Sequence, residues 1–216
     1  MSYEGKYNLI VFDLDGTLTS SHKTIYESTR RTLLELGIST ELDEKKFYGM
    51  IGLHFIDIFN KLNIPVDDFE EFIRLYRSFY FEYIGSSKPY HGVTEILDYL
   101  LYNDIKSALL TTKSQVQADM IIDYFRLRKY FSSVMGRRDG IGVKPSADPL
   151  LKILEELGES ADRTLIVGDT EMDIRCGKNA GVGTCAVTFG YRDIEALKAE
   201  SPDFIINDIL ELKNIL

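Results

Sequence analysis

Four aspartates in two pairs are the residues of this 216-residue chain whose types and spacing best suit chemistry. Asp13 and Asp15 follow the apolar run NLIVF (8–12) in the segment DLDGTL. Asp169 and Asp173 follow a second apolar run, TLIV (164–167), in the segment GDTEMD. Short apolar runs of this kind read as strands buried on both faces, and open parallel sheets bind ligands at the C-termini of their strands. Carboxylates crowded at such a point repel one another and resist desolvation, so they are costly to hold without a cation. Asp169 and Asp173 lie one helical turn apart, so both can face one point from the start of a helix. A strand-closing Asp/Gly turn explains the first pair only in part. An N-cap at Asp169 or Thr170 explains one residue of the second. Four acids at two strand ends point to a hard divalent cation with oxygen ligands, and Mg²⁺ is the default.

Two further pieces suit a phosphate group. The run IKSALL (105–110) ends in Thr111-Thr112-Lys113. A hydroxyl and backbone N–H groups at a strand end can hold phosphoryl oxygens, although a threonine there is more often a cap. Lys144-Pro145 precedes a helical pattern at 147–157. A lone lysine is usually a solvated charge; Lys144 gains meaning from its place in the order acid pair, threonine, lysine, acid pair.

The elements that must position these residues alternate. Strand-like runs at 8–12, 105–110, 132–136 (the weakest), 164–167, 183–188 and 204–206 are interleaved with helical patterns at 92–102, 114–125, 147–157 and 171–180. Buried strands alternating with amphipathic helices predict an α/β fold with a Rossmann-like parallel sheet. Residues 19–86 break the alternation with helices only: 24–37, 43–52, 54–63 and 66–85. That block is too long for one crossover. It predicts an all-helical cap subdomain (19–86) inserted into a core formed by 1–18 and 87–216. The dense Tyr and Phe of RSFYFEYIG read as helix packing before they read as a pocket.

Composition narrows the function classes. With 44% hydrophobic and 27% charged residues the chain is globular rather than disordered. Its net charge of -9 disfavours nucleic acid and anionic membranes as partners. No run approaches the roughly 18 apolar residues needed to span a bilayer, and MSYEGKYNLIVF has no signal-peptide pattern. Two cysteines, Cys176 and Cys185, read as buried thiols. A cytoplasmic monomer or homodimer acting on a small molecule is the expectation.

In motif order the chain is similar to the haloacid dehalogenase superfamily of phosphohydrolases. DLDGTL, LLTTK, VKP and VGDTEMD match its four motifs, and the likeness runs over essentially the whole length. The tail AVTFGYRDIEALKAESPDFIINDILEL and a helical insert after the first motif resemble the phosphoglycolate phosphatase-like branch. The resemblance implies that Asp13 attacks phosphorus to form an aspartyl-phosphate. It implies that Asp15 protonates the leaving oxygen and then activates water. It places Mg²⁺ on the Asp13 carboxylate, the Asp15 main-chain carbonyl and Asp169, with Asp173 bound directly or through water. Thr111, Thr112 and Lys144 would then hold the phosphoryl group. The substrate implied is a small phosphorylated metabolite, phosphoglycolate first. Inorganic pyrophosphate comes next, since Thr-Thr-Lys in the second motif resembles pyrophosphatase-like relatives. Sugar-phosphate or nucleotide phosphatases follow. A phosphomutase is disfavoured, because such relatives tend to carry His where this chain has Ile25. Retained Asp15 argues against a dehalogenase, and the intact motifs argue against a non-catalytic binding protein.

Overall fold

Six of the apolar runs form strands of one parallel sheet in the computed structural model, which describes residues 5–216. Residues 1–4, part of the expected core, lie outside the described residues. Strands β1 (Leu9–Phe12), β4 (Lys106–Ser114), β5 (Phe131–Arg137), β6 (Thr164–Gly168), β7 (Gly183–Val187) and β8 (Phe204–Ile206) lie in the order β5-β4-β1-β6-β7-β8. All their pairings are parallel. Strand β1 is central because both of its faces are apolar, as a sheet covered on both sides requires; all four of its residues are buried. Val11 sits in register between Ala108 of β4 and Ile166 of β6. With Leu9, Leu110, Met135, Leu150, Ile153 and Cys176 these residues form one continuous core cluster.

Helices α5 (Val93–Tyr102), α6 (Gln115–Tyr124), α7 (Asp148–Leu157), α8 (Glu171–Ala180) and α9 (Ile194–Ala199) connect or follow the strands. From β1 the chain moves outward on one side to β4 and β5. It then crosses back to β6 on the other side of β1. That reversal leaves a crevice at the C-terminal ends of β1, β4 and β6, the place where such sheets take ligands.

The chain divides into two compact units, one formed by the chain up to Leu18 with Pro89–Leu216, the other by Thr19–Lys88. The second unit contains α1 (His22–Glu35), α2 (Glu44–Tyr48), α3 (Phe55–Leu62) and α4 (Phe69–Tyr83). Its centre is aromatic: Phe55 meets Phe72 and Tyr76 edge-on, with ring centroids 5.1 and 4.6 Å apart. The expectation of helices alone at 19–86 needs correction. Thr19–Ser20 forms a short strand, β2, paired with β3 (Lys88–Pro89). The helical pattern at 43–52 yields only the five residues of α2, followed by turns through Gly49 and Gly52. The second strand of the sequence reading, 105–110, also runs on, so that Thr111, Thr112 and Lys113 belong to β4 rather than following it.

Candidate active site

Asp13 is the first residue past β1, held by its own N–H donating to the Val167 carbonyl at 2.9 Å. Asp169 occupies the same position past β6. Asp173 lies one turn into α8 and closes a capping box with Thr170. Its Oδ2 accepts from the Thr170 N–H (3.1 Å) and hydroxyl (2.7 Å). Capping and site membership are therefore combined in one residue. Carboxylate oxygens of Asp13, Asp169 and Asp173 lie within 4.8 Å of one another, and all three residues are buried.

Lys144 comes from the loop between β5 and α7, and its Nζ enters this cluster. It donates to Asp13 Oδ1 and Asp173 Oδ1, both at 2.5 Å, and to the Leu110 carbonyl at 3.1 Å. All three ammonium hydrogens are thereby used. Burial alone would lower the proton affinity of Lys144, but Asp13 and Asp173 outweigh it and hold the ammonium charged. Asp13 is pushed well above the usual carboxylate range, first by burial and then by Asp173, Asp169 and Asp15, against the pull of Lys144. Asp169 is raised to about 7 by burial and by Asp173, despite hydrogen bonds from Tyr191 and Thr17. Carboxylates held this far from their ordinary state are short of positive charge.

That shortage is the test of fit for a divalent cation. The Asp13, Asp15, Asp169 and Asp173 carboxylates are paired with the ammonium groups of Lys144 and Lys113, and Arg192, which also acts on Asp169, is balanced by its own partner Glu171, so two negative charges remain over. The second oxygen of Asp13 accepts no hydrogen bond from the described residues. Gly16 (φ +94°) and Gly190 run so close to Asp169 that a Cβ on either would overlap its carboxylate. The residues fit a small, hard cation.

The sequence-expected residues do not all converge. Asp13, Asp169, Asp173 and Lys144 come together. The Asp15 side chain instead pairs with Lys113, at 3.1 Å. Thr111 is buried and its Oγ1 accepts from the Lys113 N–H at 3.3 Å, while Thr112 is half-buried beside it. Three residues to which the sequence reading gave no site role shape the site. Thr17 donates to Asp169 Oδ1 (3.1 Å), the Tyr191 N–H donates to Asp169 Oδ2 (2.8 Å), and Arg192 pairs with Glu171 at 2.7 Å. A glycine just past a third strand, Gly190 after β7, was the available sign of close backbone approach.

Of the helical-unit side chains, Arg74 is tied to Glu71 at 2.5 Å on the surface. Both cysteines are free and buried, with their thiols pushed up to about 12 by burial. No helix among the described residues is long and apolar enough to cross a membrane.

Known proteins resemble this chain in sequence and in fold. The family model described as haloacid dehalogenase-like hydrolase matches residues 10–187. A phosphoglycolate phosphatase of Aquifex aeolicus is 34% identical over 210 residues, covering 96% of each chain. A protein of Bacillus mycoides named pyrophosphatase PpaX is 33% identical, over 98% of this chain and 97% of the relative. Among solved structures, a predicted phosphatase from Clostridium acetobutylicum superposes with a TM-score of 0.85 at 26% identity, covering 96% of this chain and 97% of that one. With a match across most of its length and phosphatases among its relatives, the chain belongs to the haloacid dehalogenase-like hydrolases and is a phosphatase of that family.

Proposed function

We propose that the protein is a Mg²⁺-dependent phosphomonoesterase that attacks a small phosphorylated metabolite with Asp13. The observation that carries this reading is the second oxygen of Asp13, which accepts no hydrogen bond from the described residues while Lys144 holds the first. An oxygen so placed suits in-line attack. It bonds to phosphorus as the ester P–O bond breaks, and the departing oxygen takes a proton from Asp15. Water then attacks the aspartyl-phosphate, Asp15 accepts its proton, and phosphate leaves with Asp13 restored. Mg²⁺, when bound, supplies charge neutralisation for the phosphoryl oxygens. Asp13, Asp169 and the main-chain carbonyl of Asp15 would hold it. Both oxygens of Asp173 are engaged by Lys144 and Thr170, so Asp173 suits a supporting place better than a direct one. Lys144 offsets charge around Asp13, and Thr111 and Thr112 receive the phosphoryl oxygens.

In this reading Thr19–Lys88 is a cap that selects substrate, since none of the four motifs falls within it. The Aquifex relative supports phosphoglycolate as the substrate. A pyrophosphate substrate has support of nearly equal weight, from the PpaX relative and Thr-Thr-Lys at 111–113. Two buried, unpaired thiols fit a reducing cytoplasm. The test is rapid-quench labelling with ³²P-substrate and mass spectrometry of the trapped peptide, alongside a panel of phosphorylated metabolites with and without EDTA. Label on Asp13 and EDTA-sensitive turnover are expected. Label elsewhere, or full turnover without metal, overturns the proposal.

A further inference from the structure

The ion pair between Lys113 and Asp15 has no part in the scheme above. Lys113 Nζ lies 3.1 Å from Asp15 Oδ2, with side chains only 9% and 12% exposed. Exposed pairs of this type fix little, because water competes for both partners. Here both groups are largely withdrawn from water, so the contact constrains where the carboxylate sits.

The backbone around Lys113 is itself anchored. The register of β4 on β5 shifts between Leu110 and Ser114, an irregularity that spans Thr111–Lys113. Such shifts re-aim side chains at strand ends. The Lys113 N–H donates to Thr111 Oγ1, and the next residue, Ser114, caps α6 by accepting from the Gln117 N–H. Lys113 is thus fixed from both sides, in the strand that also carries Thr111. Lys144 is committed to Asp13, Asp173 and the Leu110 carbonyl, so the ammonium beside Asp15 is a second, separate one.

We propose that Lys113 is a positioning residue for Asp15: by gripping Oδ2 it fixes the orientation in which Asp15 passes a proton to the leaving oxygen. This rests on the reading of Asp15 as proton donor. Lys113 then works through Asp15 rather than through the phosphate. Misplacing a reacting group by about 1 Å can lower a rate about 10²-fold.

The test compares phenyl phosphate with p-nitrophenyl phosphate, which share a binding shape but differ in how much protonation the leaving oxygen needs. The readout is phenol release in the first turnover of the Mg²⁺-saturated full chain. Lys113→Met is expected to slow this step about 10²-fold on phenyl phosphate, much less on p-nitrophenyl phosphate, and to leave KM unchanged on both. In an Asp15→Asn background it is expected to add nothing, because a residue acting only through Asp15 is silent once Asp15 is disabled. Lys113→Gln, which is one atom shorter and uncharged but keeps a polar end, is expected to give the same selective pattern in milder form and serves if the Met variant does not fold. Equal losses on both substrates with a raised KM would mark Lys113 as a phosphate ligand and overturn the inference. So would losses that multiply in the double variant. An Asp15→Asn enzyme equally slow on both substrates would instead remove Asp15 as the acid, and Lys113's role with it. That outcome is distinct from a Lys113→Met enzyme that behaves as wild type while Asp15→Asn discriminates.

Discussion

The two compact units bury polar groups in opposite ways. In the sheet-containing unit Asp13, Lys144, Asp169 and Asp173 are all buried. Their partners come from β1, the β5–α7 loop, β6 and α8, so each depends on residues distant in sequence. In Thr19–Lys88 the polar residues that are buried whole are hydroxyls; on α1 Thr24 donates to the Tyr83 carbonyl at 3.0 Å, while the other three bond their own helix. Ser28, Thr29 and Thr32 donate to the carbonyls of Thr24, Ile25 and Ser28, four residues back, at 2.6–2.7 Å. Buried charge requires exact mutual placement, whereas a buried helix hydroxyl needs only its own backbone. One unit is therefore electrostatically strained without a cation, whereas the other has no fully buried charged residue among those described; Arg77 is half-buried there, with its Nε enclosed.

The largest effect should come from the charged unit. Asp13→Asn nearly preserves volume but removes the attacking oxygen's charge. Turnover is expected to fall about 10⁴-fold or more, with no trapped phosphoenzyme, as read by steady-state assay and rapid quench. Lys144→Met ranks next and acts on stability as well. It leaves Asp13 and Asp173 buried without their ammonium, and breaking a buried pair from one side costs about 3–5 kcal/mol. Urea unfolding at neutral pH measures it. Removing one partner of the exposed Arg74–Glu71 pair should leave the urea midpoint where it was. Equal effects from Lys144→Met and Arg74→Met would erase the contrast between the units.

The contrast also predicts a pH dependence in the metal-free protein. Folding raises Asp169 from 3.8 to about 7, and raises Asp13 as well. A carboxylate raised by folding binds more protons in the folded state. Its stabilising contribution is therefore present below the unfolded value and lost as pH climbs through the folded one. For Asp169 that window runs from pH 3.8 to about 7. Mg²⁺ relieves the same repulsion and competes with protons. The rise in Tm on adding Mg²⁺ is expected to be larger at pH 8 than at pH 6, as calorimetry would show. A rise independent of pH would place the cation away from these carboxylates.

The legibility of the sequence follows the same division. The strands and the two acid pairs were readable because local pattern carries them: NLIVF is apolar on both faces, and DLDG or GDTEMD follows directly. Edge strand β5 was the faintest of these patterns, because its first three residues are partly exposed. The short strand Thr19–Ser20 was not readable at all, since its pairing with Lys88–Pro89 is set by chain return and not by any pattern of its own. Asp15 illustrates the harder limit. Spacing put it with Asp13, but its side-chain partner, Lys113, is chosen by how β4 meets β1 and by a register shift no local signal announces. The Tyr191 N–H on Asp169 is equally non-local, a backbone group 22 residues away.

The smallest expected effect tests the hydroxyl side of the comparison. Thr29 is fully buried on α1, and its hydroxyl donates to the Ile25 carbonyl at 2.7 Å. Thr29→Val keeps the branched shape and deletes only the hydroxyl. A buried donor disappears together with its need for a partner, and the carbonyl it leaves lies within a helix, where backbone hydrogen bonding is the rule. A hydroxyl bonded four residues back adds little to a helix and tends to bend it. The net change is therefore about 1 kcal/mol or less, of either sign, read by urea unfolding, with kcat/KM unaltered. Thr17→Val makes the matched comparison in the other unit, because Thr17 is as buried but donates to Asp169 at 3.1 Å. There the lost bond is to a charged acceptor, for which hydrogen bonds contribute about 1.5–3 kcal/mol. If the two substitutions had equal effects on stability and on Mg²⁺ dependence, buried hydroxyls would serve one purpose throughout the molecule. If only Thr17→Val shifted the Mg²⁺ requirement, the partner rather than the burial would decide what a buried polar group does.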